Sequence, residues 1–236
     1  MNSANSSPAP EPAKRARPEF LWQEIETVFL DMDGTLLDKY YDDFFWEHYV
    51  PETYANKNNL HHPEARQLLL SIYRSVENTL QWTDLDYWSE RLGLDIASLK
   101  REVSHLVNVH PHVGDFLSYM EELGKKVYLI TNAHPKALEV KMEKVKIGKW
   151  FQRLITSQEV GAAKEQPEFW HKLQEILPYN KATTLFADDT EKVLHSAAGY
   201  GIGHLVHIAK PSSRLDPQPS LYYPSILSFQ ELLFRS

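Results

Sequence analysis

The sequence predicts an α/β fold: a parallel sheet with helices on both faces and a separate helical block inserted after the first strand. From residue 112 onward, short apolar runs alternate with segments of helical period, the pattern of strands joined by crossover helices. Residues 39–110 break that rhythm and read as mostly helical and rich in aromatics. Asp31, Thr131 and Asp188 each fall at the predicted carboxyl end of a strand, where sheets of this kind bind ligands.

The elements follow in chain order. Residues 1–18, rich in Ser, Ala and Pro, read as a disordered tail, with Lys14, Arg15 and Arg17 as a basic cluster near its end. The core is expected to comprise residues 19–38 and 111–236, and the inserted block residues 39–110. Thr27–Asp31 reads as a buried strand. In the block, Pro63 opens a helix whose Leu69, Ile72, Tyr73 and Val76 recur at helical spacing. Thr83 with Asp86 predicts an N-cap and an approximate capping box for a helix that stops at Gly93. Asp95 caps the next helix. After the block come a helix over 113–123 ended by Gly124, a strand over 127–130, a helix over 135–145 and a short strand over 154–156. A helix over 167–177, a strand over 184–187, a helix over 190–200 and a strand over 205–208 follow. Residues 210–224 hold four prolines and read as irregular, and a short helix closes the chain near 229–234.

Composition narrows the function. The chain has 236 residues, 42% of them apolar, enough for one large domain or a core with a smaller module. A formal charge of −7 argues against a general binder of nucleic acid or anionic membrane. It leaves open a small phosphorylated molecule, which needs only a local cation. No cysteine is present, which removes disulfides, zinc–thiolate sites and thiol nucleophiles and fits a cytoplasmic protein. No apolar stretch is long enough to span a bilayer, and the basic cluster runs into Pro18 rather than the apolar stretch of a secretory signal.

The chemistry concentrates in Phe29-Leu30-Asp31-Met32-Asp33-Gly34-Thr35. Residues two apart on a strand point the same way, so Asp31 and Asp33 can face one crevice. Two carboxylates there can hold a divalent cation, attack an electrophile or move a proton. Asp31 read alone is equally a turn or capping residue. Thr131 and Asn132 after the second strand can bind a phosphate oxygen. Lys164 after the third can neutralise another oxygen or the nucleophile, and Asp188-Asp189 after the fourth can complete the oxygen shell of a hard cation.

In this order, the strings Asp31-Met32-Asp33-Gly34-Thr35, Thr131-Asn132, Lys164 and Asp188-Asp189 resemble the four motifs of the haloacid-dehalogenase superfamily of phosphohydrolases. The resemblance spans about residues 19–210 and implies a Rossmann-like core with an inserted helical cap. It implies that Asp31 attacks phosphorus to form an aspartyl-phosphate, and that Asp33 protonates the leaving oxygen and then activates water. It also implies Mg²⁺ held by Asp31, Asp188 and the Asp33 backbone carbonyl. Thr131 and Lys164 would hold phosphate oxygens, and Asp189 would orient Lys164 or a metal-bound water. Dehalogenases lack a carboxylate at the Asp33 position, so its presence favours phosphoryl chemistry.

Within the superfamily, Leu30–Asp38, Val50-Pro51-Glu52-Thr53, Leu85-Asp86-Tyr87-Trp88-Ser89-Glu90 and Thr131-Asn132-Ala133-His134-Pro135 resemble the bacterial GMP/IMP 5′-nucleotidases. That resemblance implies a purine nucleoside monophosphate as substrate, stacked on one of the cap aromatics among Phe44, Phe45, Trp46, Tyr49, Tyr54, Tyr73, Trp82, Tyr87 and Trp88. Lys57 and Asn58 are the expected readers of the 6-oxo group that GMP and IMP share, and His134 the expected reach to phosphate or ribose. A phosphatase or phosphomutase for another small metabolite, such as a sugar phosphate, is the enzymatic alternative. A catalytically silent phosphate-binding module is the alternative from another class.

Overall fold

A computed structural model describes residues 16–77 and 79–233. The expected tail therefore lies outside the described residues up to position 15. Ala16–Pro18 have no regular structure, and the Ala16 carbonyl accepts a bond from Ser225 N at 2.9 Å.

Six parallel strands form one sheet in the order β3-β2-β1-β4-β5-β6. They are β1 (Thr27–Leu30), β2 (Lys126–Thr131), β3 (Arg153–Thr156), β4 (Thr184–Asp188), β5 (His204–Ile208) and β6 (Ser225–Ile226). Side-chain alternation sorts each strand between two cores. Val28, Leu30, Val127 and Leu129 pack on one face, whereas Phe29, Tyr128, Ile130 and Phe186 pack on the other. Burial on both faces explains why the central strands are apolar without a polar alternate. Because β1 pairs with β2 on one side and β4 on the other, a crevice opens beyond its carboxyl end.

Pro135–Val145 forms a helix with the expected bounds, and Pro167–Ile176 and Glu191–Tyr200 fall within one residue of theirs. Two expectations are corrected. The cap of the helix Leu85–Leu92 is Asp84, not Thr83: Asp84 lies in extended backbone and accepts from Asp86 N and Tyr87 N, while the Thr83 hydroxyl donates back to Leu80 O. Ser225–Ile226 adds a sixth strand at the sheet edge, paired with β5, beyond the strand at 205–208 expected to be the last, while residues 210–224 are irregular as expected.

The inserted block runs from the helix Tyr40–Phe44 to the turn Ser104–Leu106 and includes the helices Val50–Asn58, His62–Arg74 and Ile96–Glu102. Two adjacent strands of chain join it to the core. Leu37 bridges Val109 in antiparallel fashion, Asp38 N donates to Asn108 O at 2.9 Å, and His110 N donates to Leu36 O at 2.9 Å. Its own core is aromatic. Trp46, Tyr73, Trp82 and Trp88 meet at ring-centroid distances of 5.0–5.9 Å, mostly edge to face. Among the described residues no helix is long and apolar enough to cross a membrane.

Candidate active site

The chain leaves β1 through Asp31 and turns at Gly34, where φ is +84°. A Cβ there would meet Asp189 Oδ2 at 2.5 Å, so glycine serves both the left-handed turn and the close approach of the β4 loop. This turn places Asp31 and Asp33 on the floor of a cleft of about 460 Å³ between core and insert. Thr131, Asn132, His134, Lys164, Asp188 and Asp189 line the same cleft. The four loops that follow β1 to β4 thus converge at one place.

Lys164 is the hub of the inner floor. Its Nζ donates to Asp31 Oδ1 at 2.5 Å and to Asp188 Oδ2 at 2.7 Å, and all three residues are buried. Burial pushes the Asp31 carboxyl up to about 7; Lys164 opposes the rise, and Asp188 and Asp189 add to it. Asp188 rises to about 6 for the same reason, again against Lys164. Burial works against the charge of Lys164, but Asp188 and Asp31 hold its pKa above the ordinary value. Asp31, Asp188 and Asp189 each offer a carboxylate oxygen within 4.8 Å of the others. An all-oxygen donor set of this charge fits a hard divalent cation.

Asn132 lines the cleft and also braces this floor. Its side-chain oxygen accepts from Lys164 N at 3.0 Å, its amide donates to Glu165 Oε2 at 2.9 Å, and its carbonyl accepts from Ser157 Oγ at 3.1 Å. Thr131 is buried, and its hydroxyl accepts from Ala133 N at 3.0 Å. His134 caps the helix Pro135–Val145 through Nδ1, its Nε2 lies 3.7 Å from Asp84 of the insert, and burial lowers its pKa. Asp189 pairs with Lys39 at 3.1 Å, and the Lys164 ammonium is held by Asp31 and Asp188. Lys57 and Asn58 are exposed, absent from the cleft walls and bonded to Gly93 O and Tyr54 O, because they sit at the far end of their helix. Of the nine cap aromatics, Trp46, Tyr73 and Trp82 line the cleft, while Phe45 and Trp88 are wholly buried.

A second buried lysine has no counterpart in the sequence reading. Lys141 Nζ lies 2.6 Å from Asp33 Oδ1 and 2.6 Å from Asp42 Oδ2, and Asp42 accepts from Lys100 at 2.8 Å. Lys100 also lies 4.3 Å from the Phe45 ring centroid and 4.8 Å from that of Tyr41. Burial pushes Asp33 up to about 7, with Asp42 adding and Lys141 opposing. Burial would raise Asp42 too, but Lys100 and Lys141 hold it well below the usual carboxylate range. The pattern carried one signal: both lysines sit in the apolar register of their helices, Lys141 beside Ala137 and Leu138 and Lys100 between Ile96 and Val103. A lysine there is either unpaired at great cost or buried against a carboxylate.

Two carboxylates two residues apart, a buried ammonium beside each and an all-oxygen cation site, set on a doubly wound sheet, are a group of side chains suited to phosphoryl transfer. The chain belongs to the haloacid dehalogenase-like hydrolases, whose family model matches residues 25–201. Within that family it is 37% identical over 212 residues to the GMP/IMP nucleotidase YrfG of Escherichia coli (strain K12), covering 90% of this chain and 96% of the relative. Its fold is shared with a HAD phosphatase from Thermococcus onnurineus at a TM-score of 0.71 and 22% identity, covering 88% of this chain and 96% of that one. The defluorinating L-2-haloacid dehalogenase Rha0230 matches at a TM-score of 0.59 and 14% identity, over 93% and 98% of the two chains.

Proposed function

We propose that this enzyme is a Mg²⁺-dependent 5′-nucleotidase that hydrolyses IMP and GMP to nucleoside and phosphate. The observation that carries the reading is the cleft itself. The buried Asp31–Lys164–Asp188 cluster and the aromatic residues Trp46, Tyr73 and Trp82 line one cleft. The charged cluster suits a phosphate and the aromatics a flat base, in a volume within the range of small-molecule sites. The 37% identity to a GMP/IMP nucleotidase over almost the whole chain supports the choice of base.

Asp31 attacks phosphorus, and the bond to the nucleoside oxygen breaks as the bond to Asp31 forms. Lys164 and Thr131 hold phosphate oxygens and line the group up for attack. Asp33, whose carboxyl titrates at about 7, gives its proton to the departing nucleoside oxygen and then takes one from the water that cleaves the acyl phosphate. Lys141 fixes the Asp33 carboxyl at the cleft wall for both transfers. Mg²⁺ held by Asp31, Asp188 and the Asp33 backbone carbonyl would supply charge neutralisation between Asp31 and the phosphate oxygens.

The test is phosphate release from IMP, GMP, AMP, CMP and several sugar phosphates, with Mg²⁺ and with EDTA, using Asp31→Asn as the blank. Mg²⁺-dependent release that favours IMP and GMP is expected. Release confined to sugar phosphates would retain the chemistry and overturn the purine assignment. Interconversion of two sugar phosphates without net release would point to a mutase.

A further inference from the structure

With Lys57 and Asn58 turned away from the cleft, the purine edge needs another reader. The helix His62–Arg74 and the turn after it bring two charged residues to the cleft lining, Arg74 at the helix end and Glu77 three residues further on, both exposed. The chain between them keeps turning, with Ser75 N donating to Ile72 O and Val76 N to Tyr73 O, both at 3.1 Å. Every lysine that lines the cleft is paired with a carboxylate: Lys39 with Asp189, Lys100 and Lys141 with Asp42, and Lys164 with Asp31. Among the described residues Arg74 has no such partner, and neither does Glu77. Trp46, Tyr73 and Trp82 line the same cleft.

The polarity of this pair matches one kind of purine. Hypoxanthine and guanine present acceptors at O6 and N7 and a donor at N1–H. A guanidinium binds O6 and N7 with two parallel bonds, and a carboxylate accepts from N1–H. Adenine inverts both groups, with an amino donor at position 6 and an acceptor at N1, so it meets a donor with a donor and an acceptor with an acceptor. We propose that Arg74 and Glu77 are the specificity-determining residues that read the 6-oxopurine edge of a nucleotide held against Trp46 and Trp82. This rests on the purine nucleotide reading of the cleft. Arg74 and Glu77 are exposed in the free protein, so rejection of adenine rests on like groups facing each other, donor to donor and acceptor to acceptor, once the base covers them.

The test compares kcat/KM for IMP, GMP and AMP in the wild type and in Arg74→Met, Arg74→Lys and Glu77→Gln. Turnover of p-nitrophenyl phosphate, which has no purine edge, normalises each variant for folded core. Arg74→Met is expected to lower kcat/KM on IMP and GMP by about 10- to 100-fold, mainly through KM. Arg74→Lys keeps the charge without the planar fork and is expected to recover only part of the loss. Glu77→Gln is expected to narrow the preference over AMP. If the wild type selects IMP and GMP but all three variants keep its selectivity, the inference falls while the nucleotidase reading stands. If the wild type releases phosphate without preferring IMP and GMP over AMP, the purine reading fails and the inference with it.

Discussion

Asp31 and Asp33 stand two residues apart on one turn, and each is held by a buried lysine, yet the two halves of the cleft floor are built differently. Lys164, the partner of Asp31, belongs to the core alone. Its backbone N is held by Asn132, and its carbonyl accepts from Trp170 Nε1 at 3.1 Å. Lys141, the partner of Asp33, comes from a core helix but shares its ammonium with Asp42 of the insert, and Asp42 also binds Lys100 of the insert. The Asp31 carboxylate is therefore fixed by the sheet and its loops. The Asp33 carboxylate is fixed jointly by core and insert, so under the proposed mechanism a change in the insert should reach the proton transfer before it reaches the attack.

The sharpest break in this contrast is Asp31→Asn. It removes the nucleophile, and phosphate release should fall by at least about 10³-fold on every substrate, in a coupled assay with Mg²⁺. Next, Asp33→Asn should slow release from nucleotides by about 10²- to 10⁴-fold. The loss should shrink on p-nitrophenyl phosphate, whose leaving group needs no proton. An equal loss on both substrates would place the limiting defect at hydrolysis of the aspartyl-phosphate, where Asp33 activates water, rather than at protonation of the leaving group. Lys141→Met should show the same leaving-group dependence at smaller size, about 10- to 100-fold on nucleotides, because the carboxylate remains but loses its fixed position. A double-mutant cycle between Lys141 and Asp42 should return a coupling of about 0.5–3 kcal/mol in thermal stability. Additive effects there would separate the insert from the proton-transfer half.

Stability against pH in EDTA gives the last test. Asp31 and Asp33 titrate at about 7 and Asp188 at about 6 in the folded chain, against about 4 for an unfolded Asp. The native state holds more protons between those values, so this contribution is complete below about pH 4 and is lost as pH rises toward 7. His110, His134 and His207, all lowered by burial, tilt the other way. The difference in urea stability between wild type and Asp31→Asn isolates the carboxylate, and the variant should gain on the wild type from pH 5 to pH 8. A flat difference would show that Lys164 fully compensates Asp31.

Local patterns were readable wherever one segment carried its own cause. The apolar run before Asp31, Pro at the start of the helices at 135 and 167, and the Asp95 cap all depend on neighbours within four residues. The Thr83–Asp86 reading failed because two candidate caps stand side by side. The backbone of Asp84, not composition, decides which one accepts. Ser225–Ile226 was hidden because a two-residue edge strand has no periodicity, and its existence depends on β5 beside it. Lys57 and Asn58 were suitable in type, but the direction of their helix carries them away from the cleft.

The order of apolar runs was enough to put four loops carrying Asp31, Thr131, Lys164 and Asp188 at strand ends, since strand polarity and period follow from it. Which charge meets which was set by packing. It paired Lys164 with Asp31 and Asp188, Lys39 with Asp189, and Lys141 with both Asp33 and Asp42, and it brought Arg74 and Glu77 to the cleft. The reason is physical. Periodicity is a property of neighbouring residues, whereas ion pairing falls off with distance in space and depends on burial, and both are set by how distant segments pack.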